Sequence, residues 1–559
     1  MSTQELIEKI YNGDPDLDAE RQFDETCLQN PQEIEASLRA ISHQELLSEA
    51  PETEEFRKHQ RKKLKGKKGR KWQNVTQNQE VTPLRYFRAK SLKDLQTIVQ
   101  KAEAQALRIR AVGSGHSYSD VAVCSDYLLD IDKLNKLLAL DEAGLKMHKR
   151  HLKYVNVEAG ITIQRLNRKL DKQRKALFNM GAIDEQTLAG ALATGTHGTG
   201  IDLTAFPGML RSLVLVASGG KVYRIEPEDG ITDPALHREE GVELVQNDHW
   251  FYSVGQAMGC MGIIYSVVLE VRDRYWLDES KTLHTWDEVK PQILDRSVFQ
   301  GFRHVTIQIN PYEIDGQHSC ILVRQKYLMN KPRHLSLEDT TRNFTNNLLA
   351  NIPLADEFAV AYLNLFPAKT PRTIDGALRR SRDQRFVQKS YHVQHQGHEK
   401  VKSEGMSAEF AFAFENNSFI EATEKVFELA HKIQQEGNLY LTSAVTLRFV
   451  KNSAMYLAPE YGRDTCFIDL PSLVRAKGAA SVIDKFQDAM IALGGKPHWG
   501  KLHNRFTIGQ HEPLRDNYPM FDRWLEVFKT LNHQGTFNNR FTDRLGISVG
   551  DADPGPLII

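Results

Sequence analysis

The amino-acid sequence predicts an α+β protein of two lobes preceded by an N-terminal extension. The chain has 559 residues, which is too long for one ordinary hydrophobic core, and 41% of its residues are hydrophobic. Short strands and amphipathic helices alternate up to about residue 272. From residue 273 onward the strands are longer and alternate in polarity, which favours an antiparallel sheet with helices on one face.

Residues 1–75 differ in composition from the rest of the chain and form the predicted extension, which is charged and partly helical. Acidic, Gln-rich patches give way to the basic run RKHQRKKLKGKKGRKW at 57–72. Such a run is typical of a solvated linker, and a phosphate-binding arm or a targeting signal is the alternative. No aromatic residue is interleaved with its basic residues to stack on nucleic-acid bases.

Overall charge and cysteine usage exclude several classes of partner. Lys plus Arg and Asp plus Glu both number 72, so no net field attracts nucleic acid or anionic lipid. No apolar run reaches the length of a membrane span, and the N-terminus lacks a basic region followed by an apolar one. The five cysteines never form a CxxC pair, which fits a reducing compartment. We expect a cytoplasmic protein with no nucleic-acid partner and no stable membrane insertion; its oligomeric state is not predicted.

The elements of the first lobe follow from capping, periodicity and turn residues. Ser91 and Asp94 precede apolar residues at helical spacing, which predicts a capped helix. Strands are predicted at 107–112 and 154–158, and the second of them leads through a turn into another helix. Residues 210–225 predict a hairpin through a Ser-Gly-Gly turn, and GCMGIIYSVVLEV at 259–271 predicts an apolar strand.

The second lobe is predicted from strands of alternating polarity. They are HVTIQIN at 304–310, CILVRQ at 320–325, AEFAFAFE at 408–415, VTLRFV at 445–450 and CFIDL at 466–470. Amphipathic helices such as FIEATEKVFELAHKI at 419–433 separate them.

Two glycine-rich stretches in the first lobe are candidate ligand loops. Gly113-Ser114-Gly115-His116-Ser117 follows a strand, and its glycines let the backbone approach a ligand and direct N–H groups at an anion. A dinucleotide-binding Rossmann turn would need a third glycine and a clean helix start, which are missing. The second stretch, NMGAIDEQTLAGALATGTHGTG at 179–200, offers amides and hydroxyls to a large flat ligand, or else is a packing seam of small residues.

Taken in order, several motifs resemble one family. GSGHSYSD, VNVEAGITIQRLNRKL, the 179–200 loop and GCMGIIYSVVLEV resemble the FAD-binding domain of the vanillyl-alcohol-oxidase superfamily, the PCMH-type fold. GGKPHWGKLHNRF and GTFNNRFTDRLG narrow the resemblance to the sugar-1,4-lactone and alditol oxidases. It runs from about Trp72 to Leu545 and implies a two-lobed FAD-binding domain at 76–272 and a cap domain at 273–559 whose C-terminal tail returns to the flavin.

The resemblance implies FAD as cofactor and assigns residues to it. His116 is the expected covalent attachment point, where an unprotonated imidazole must face the flavin; the alternative is a histidine that only hydrogen-bonds the turn. Gly181 is implied to control access of dioxygen, since dehydrogenase relatives place alanine there, and glycine favours an oxidase. The remaining implied cofactor contacts are Gly113, Ser114, Gly115, Ser117, Gly190, Thr194, Thr196, His197, Gly198, Thr199, Gly200 and Ile264.

The substrate site is implied to use two cations and one carboxylate. Arg448 matches one family cation, and Lys501 in the His498-Trp499-Gly500-Lys501 signature matches the other. The family's usual Glu-x-Arg is replaced here by Thr446-Leu447-Arg448. We hypothesise that Asp469 supplies the missing base; the alternative is that Asp469 forms a salt bridge and the substrate is not a sugar.

No metal is expected. His392, His395 and His398 are spaced like a ligand cluster, but the Gln-Gly interruption favours a loop and the flavin reaction needs no metal. The predicted function is an FAD-dependent oxidase that moves hydride from an alcohol of a sugar, sugar lactone or polyol to flavin, with dioxygen as the second substrate and hydrogen peroxide as product. The alternatives are oxidation of a sterol or other apolar alcohol, and a silent flavin-binding scaffold.

Overall fold

The computed structural model describes residues 70–332, 335, 355–396, 405–508 and 513–550. Almost all of the extension predicted at 1–75, and also His398, lie outside the described residues. Within the described ranges no helix is both long and apolar enough to cross a bilayer.

The first lobe consists of short strands with four α-helices between them. The strands are β1 (Trp72–Gln73), β2 (Glu80–Val81), β3 (Arg85–Arg88), β4 (Ile109–Val112), β5 (Tyr127–Asp130), β6 (Leu137–Leu138), β7 (Tyr154–Glu158), β8 (Lys175–Ala176), β9 (Leu210–Val216), β10 (Val222–Glu226), β11 (Glu243–Gln246), β12 (Ile263–Glu270) and β13 (Arg272–Asp273). The helices are α1 (Leu92–Glu103), α2 (Ile163–Lys172), α3 (Leu188–Ala193) and α4 (Asp248–Val254).

The first lobe contains two larger sheets. A parallel sheet of order β3-β5-β4 leads into the 113–117 turn, and a six-stranded sheet has the order β11-β10-β9-β12-β7-β6. The predicted helix cap is confirmed, because Ser91 Oγ accepts from the Asp94 N–H at 3.2 Å. The predicted hairpin is confirmed as antiparallel β9 and β10. The strand predicted at 107–112 begins only at Ile109.

The second lobe is one large antiparallel sheet with helices. Its strands are β14 (Trp276–Thr285), β15 (His304–Ile309), β16 (Ser319–Leu328), β17 (Arg385–Lys389), β18 (Gly405–Ala413), β19 (Val445–Val450), β20 (Thr465–Leu473) and β21 (Lys496–Pro497). Its helices, with those of the C-terminal segment, are α5 (Trp286–Leu294), α6 (Ala355–Leu365), α7 (Thr370–Ser381), α8 (Ser390–Gln394), α9 (Ser418–Gly437), α10 (Ala479–Ala492), α11 (Pro513–Asn517), α12 (Phe521–Leu531) and α13 (Arg540–Arg544).

The strand order of this sheet is β17-β14-β16-β15-β19-β20-β18-β21. Side chains alternate between its faces, because the period of a strand is two. Leu447, Phe449 and Ile468 join the core formed with α9 and α10. The residues between them, among them Thr446, Arg448 and Asp469, therefore project from the opposite face. This arrangement confirms the predicted α+β class with an antiparallel sheet.

The C-terminal segment packs on the first lobe. Helix α12 contacts α4, and Trp524 and Phe528 belong to the first lobe's core. The Asn539 side-chain amide donates to three backbone carbonyls at Asp120, Val121 and Val123, and Arg544 pairs with Asp120 at 2.8 Å. These contacts hold the end of the described chain against the segment that follows the 113–117 turn.

Candidate active site

A deep cleft opens in the first lobe and reaches the second. Its empty volume, including its open mouth, is about 1160 Å³. The 113–118 turn, the 186–196 segment, the start of β12 and the 498–501 segment line it. The predicted cofactor and catalytic residues that line it are Gly113, Ser114, Gly115, His116, Ser117, Gly190, Thr194, Thr196, Ile264, His498 and Lys501.

The first glycine turn is shaped by close backbone approach. A Cβ at Gly113 would lie 2.0 Å from Thr187 Oγ1, so only glycine lets the two loops meet here. Gly115 has a φ of +73°, a left-handed conformation that favours glycine. Its carbonyl accepts from the Val75 N–H at 2.8 Å, and Ser114 Oγ donates to the Glu185 carbonyl at 2.6 Å. The turn is thus fixed before any ligand binds.

His116 has the state that attachment to a flavin requires. Its Nδ1 is buried, and within the described part of the chain it has no hydrogen-bond partner. Burial lowers the pKa of His116 below its ordinary value, and the Glu185 carboxylate opposes this only in part. A neutral imidazole with a free nitrogen therefore lines the cleft, and this orphaned atom fits a bound flavin.

One part of the second glycine stretch lines the cleft, and its end contacts the second lobe. Gly190, Thr194 and Thr196 line the cleft, but Gly181, His197, Gly198, Thr199 and Gly200 lie outside its lining. The Gly200 N–H donates to the Phe449 carbonyl at 2.6 Å, and the Thr199 carbonyl lies 2.6 Å from His304 Nδ1. The end of this stretch joins the two lobes.

Gly181 packs directly behind a cleft residue. A Cβ built on it would lie 2.9 Å from Thr196 Cγ2 and 3.5 Å from the His197 carbonyl. A methyl group at this position would require Thr196, which lines the cleft, to shift.

Three adjacent strands bring the ionisable side chains together. In the sheet register, Thr446 on β19 pairs with Asp469 on β20, and Asp469 pairs with Glu409 on β18. Asp469 therefore lies directly beside the position where the family's usual acid is missing. Arg448 Nη2 lies 3.8 Å from Asp469 Oδ2, and Arg448 Nη1 lies 3.5 Å from Glu409 Oε1.

Lys501 completes the cluster from the segment after β21. Its Nζ donates to Ser407 Oγ at 3.1 Å and lies 3.6 Å from Asp469 Oδ1, while Ser407 Oγ donates to the same carboxylate oxygen. Burial opposes the charge of Lys501, but the Asp469 and Glu409 carboxylates outweigh burial and hold the Lys501 pKa above its ordinary value. Lys501 is a fixed cation at the end of the cleft.

His498 is a neutral, oriented imidazole. Its Nδ1 accepts the Gly500 N–H at 3.0 Å, so its proton is on Nε2. Burial lowers the pKa of His498 to about 3. The adjacent Trp499 is buried and donates through Nε1 to the Leu457 carbonyl at 2.7 Å, which anchors the His-Trp-x-Lys segment.

Glu409 is the functional candidate that sequence reasoning missed. Burial alone would raise its pKa, but His197 and Lys501 outweigh burial and hold the Glu409 pKa well below its ordinary value. The signal was present in AEFAFAFE, where one acid interrupts a strand that is otherwise apolar up to its last residue. Ser407, two residues earlier, gave no comparable signal.

The predicted histidine loop is partly helical. His392 lies within α8, which ends at Gln394, so the Gln-Gly interruption comes after the helix and does not prevent it. His395 follows at the helix end, with its Nδ1 3.4 Å from Asp184 Oδ1.

Comparison with known proteins identifies the family to which this architecture belongs. The FAD binding domain family matches residues 83–226, and the D-arabinono-1,4-lactone oxidase family matches residues 267–545. The chain belongs to the sugar-1,4-lactone oxidase branch of the PCMH-type flavoproteins. The second family match contains the whole ionisable cluster.

Named relatives of this branch cover most of the chain. An L-gulono-1,4-lactone dehydrogenase of Mycobacterium tuberculosis is 27% identical over 482 residues, covering 85% of this chain and 98% of that protein. An L-gulonolactone oxidase of Bos taurus is 26% identical over 499 residues, covering 86% and 99%. A crystal structure of a cholesterol oxidase from B. sterolicum shares the fold at a TM-score of 0.66 and 13% identity, covering 85% of this chain and 96% of that one.

Proposed function

We propose that this protein is an FAD-dependent oxidase that acts on an alcohol group of a sugar-1,4-lactone and passes the electrons to dioxygen. One observation carries the proposal: Arg448 and Lys501, from separate segments, lie 3.8 and 3.6 Å from Asp469, and Lys501 lines the FAD cleft. Lactone oxidation needs such a carboxylate and such cations around one oxygen atom.

FAD is held by the first lobe, 76–272, and the cap lobe, 273–559, supplies the substrate site. The lining of the cleft by both glycine stretches supports this division, and the free Nδ1 of His116 supports covalent attachment through that histidine. When bound, FAD supplies the two-electron acceptor that takes hydride from the substrate carbon and is reoxidised by dioxygen to give hydrogen peroxide.

Asp469 is the proposed base. It accepts the proton of the substrate hydroxyl, while Lys501 and Arg448 stabilise the negative charge that develops on the oxygen. Ser407 donates to Asp469 Oδ1 and accepts from Lys501, which fixes the two reacting groups relative to each other. His498 lines the same end of the cleft and stays neutral, so it offers an Nε2–H as a hydrogen-bond donor to the substrate.

Dioxygen is the proposed final acceptor because residue 181 is glycine. The wall behind Thr196 has no methyl group at this point, and a methyl group there would displace Thr196. The relative from Mycobacterium tuberculosis is called a dehydrogenase, and peroxide detection distinguishes an oxidase from a dehydrogenase.

The polarity of the cluster argues against an apolar alcohol. A sterol ring would take water from two carboxylates and two cations and offer these charged groups no polar partner in return, which is costly. The likeness to cholesterol oxidases is one of fold. A flavin-binding scaffold without catalytic activity would have no need for the Lys501 and Arg448 cations beside Asp469.

The experiment that tests the function is a substrate panel with peroxide detection. The purified flavoprotein is given L-gulono-1,4-lactone, D-arabinono-1,4-lactone, a polyol and cholesterol. We expect peroxide from a lactone and none from cholesterol. Turnover of cholesterol alone would replace the lactone proposal, and a yellow protein inert to the whole panel would favour the scaffold.

The state of the cysteines supports a proposed location in the cytoplasm. The four described cysteines are Cys124, Cys260, Cys320 and Cys466, and all are buried and unpaired, which fits the reducing cytoplasm.

A further inference from the structure

The resemblance implies that His197 contacts the cofactor, and the structure shows which groups surround its ring. Its ring is buried outside the cleft lining and stacks on Phe467 with 3.9 Å between ring centroids. Its Nδ1 lies 2.9 Å from the Gly198 carbonyl. A carbonyl has no proton to give, so Nδ1 must carry the hydrogen of this bond.

The second ring nitrogen of His197 faces a carboxylate. Nε2 lies 3.5 Å from Glu409 Oε1, and both side chains are 1% exposed. In a neutral His197 with its proton on Nδ1, Nε2 would direct a lone pair at this anionic oxygen. Two lone pairs facing each other without water are repulsive, so a proton belongs between Nε2 and Oε1.

Glu409 Oε1 also contacts the catalytic arginine. The same oxygen lies 3.5 Å from Arg448 Nη1, and Arg448 Nη2 lies 3.8 Å from Asp469 Oδ2. One carboxylate oxygen thus bridges an imidazole and the guanidinium. The bridge holds Arg448 between two acids on different strands.

We propose that His197 and Glu409 form a buried imidazolium–carboxylate pair that positions Arg448 for the reaction, and that His197 is a positioning residue, not a cofactor ligand. The kinetic consequence rests on the proposed function; the existence of the pair does not. With His197 protonated, three cations face two carboxylates, which leaves one surplus positive charge around the substrate oxygen. That surplus exists only while His197 carries its second proton.

Charged and titratable groups reach the pair from every neighbouring segment. They are Tyr118 after the 113–117 turn, Arg448 on β19, Cys466 and Asp469 on β20, Glu460 in the loop after β19, and His498 and Lys501 after β21. His498 is held neutral by burial, and its Nδ1 is already used by Gly500.

The same side chains raise the question of a metal ion. His197, Glu409 and His498 place possible ligand atoms within 4.8 Å of one another. Ligation by His498 Nε2 would force its proton onto Nδ1, against the Gly500 N–H. We therefore assign the space between Nε2 and Oε1 to a proton, and metal binding becomes an outcome of the test.

The direct test reads the histidine protonation state in the holoenzyme. The ring nitrogens of its 20 histidines are labelled with ¹⁵N, and the His197 signals are assigned by their loss in His197→Gln. We expect both nitrogens of His197 to be protonated at neutral pH, and Nε2 to lose its proton in Glu409→Gln, whose amide donates to it. An unprotonated Nε2 in the wild type, or one equivalent of divalent metal that His197→Gln loses, would overturn the proposal.

The kinetic test follows anaerobic flavin reduction against pH. Glu409→Gln should reduce the rate constant about 10²-fold, the cost of a misplaced catalytic group, and should remove the fall in rate at alkaline pH. Glu409→Asp keeps the charge and should keep that fall, and Glu460→Gln, which removes another buried acid near His197, should also keep it. If the rate constant still falls at alkaline pH in Glu409→Gln, or no longer falls in Glu460→Gln, the proposed His197–Glu409 pair is contradicted. If no lactone reduces the flavin, the proposed function fails, and the NMR result still decides the pair.

Discussion

Replacing Glu460 with glutamine should stabilise the protein at neutral pH and have no effect in acid. Glu460 is 1% exposed, and neither carboxylate oxygen has a hydrogen-bond partner within the described ranges. Burial raises the pKa of Glu460 from 4.5 to about 7. Because the folded state then holds its proton more tightly than the unfolded state, stability is lost as pH rises from about 4.5 to about 7.

The size of the effect follows from that change in proton affinity. At about 1.4 kcal/mol for each tenfold change, ionised Glu460 costs about 3 kcal/mol above pH 7. Glutamine avoids this cost, since it is never charged. The free energy of unfolding of Glu460→Gln should therefore exceed that of the wild type by up to about 3 kcal/mol at pH 8 and equal it near pH 4.

Guanidinium titrations of both proteins at pH 4, 6 and 8 measure this difference. Glu526→Gln is the matched control, because Glu526 is exposed on α12 and pairs with Arg523 at the surface; its effect should stay below about 1 kcal/mol at every pH. A Glu460→Gln variant that is no more stable than the wild type at pH 8, or is less stable, refutes the argument that Glu460 is a buried, unpaired acid.

Four further outcomes follow from the site and its supports. Asp469→Asn should slow anaerobic flavin reduction by about 10²- to 10⁴-fold, and normal turnover would exclude it as the base. Gly181→Ala should slow flavin reoxidation by dioxygen far more than flavin reduction; stopped-flow absorbance separates the two steps, and an unchanged oxygen reaction would contradict the gating role. His116→Ala should abolish flavin fluorescence on a denaturing gel, and fluorescence that persists would place the attachment elsewhere. Asn539→Ala removes three amide hydrogen bonds, two of them buried, and should lower the free energy of unfolding by about 3 kcal/mol; a loss below about 1 kcal/mol would show that they are not structural.

Local patterns predicted the fold well because they depend on short-range physics. The strand predicted at 154–158 is β7, and the helix predicted after Ser91 begins at Leu92 with the expected cap. Both follow from alternation, periodicity and side-chain capping, which neighbouring residues determine.

The candidate site was predictable only in part, because it depends on strand pairing across long sequence separations. The resemblance gave Arg448 and Lys501, and the structure brings both of them beside Asp469. Nothing local shows that Glu409 lies beside Asp469, since that requires the register of β18 against β20. For the same reason the sequence did not reveal that Thr199 contacts Phe449 across the two lobes.

The central claim is that a lactone gives its electrons to FAD at the Asp469, Arg448 and Lys501 cluster. Anaerobic mixing of the purified flavoprotein with L-gulono-1,4-lactone or D-arabinono-1,4-lactone, followed by flavin absorbance, tests it most directly. We expect rapid bleaching in the wild type and little in Lys501→Met with the same FAD content. A flavin that stays oxidised with every lactone, or bleaches equally fast in Lys501→Met, would contradict the account.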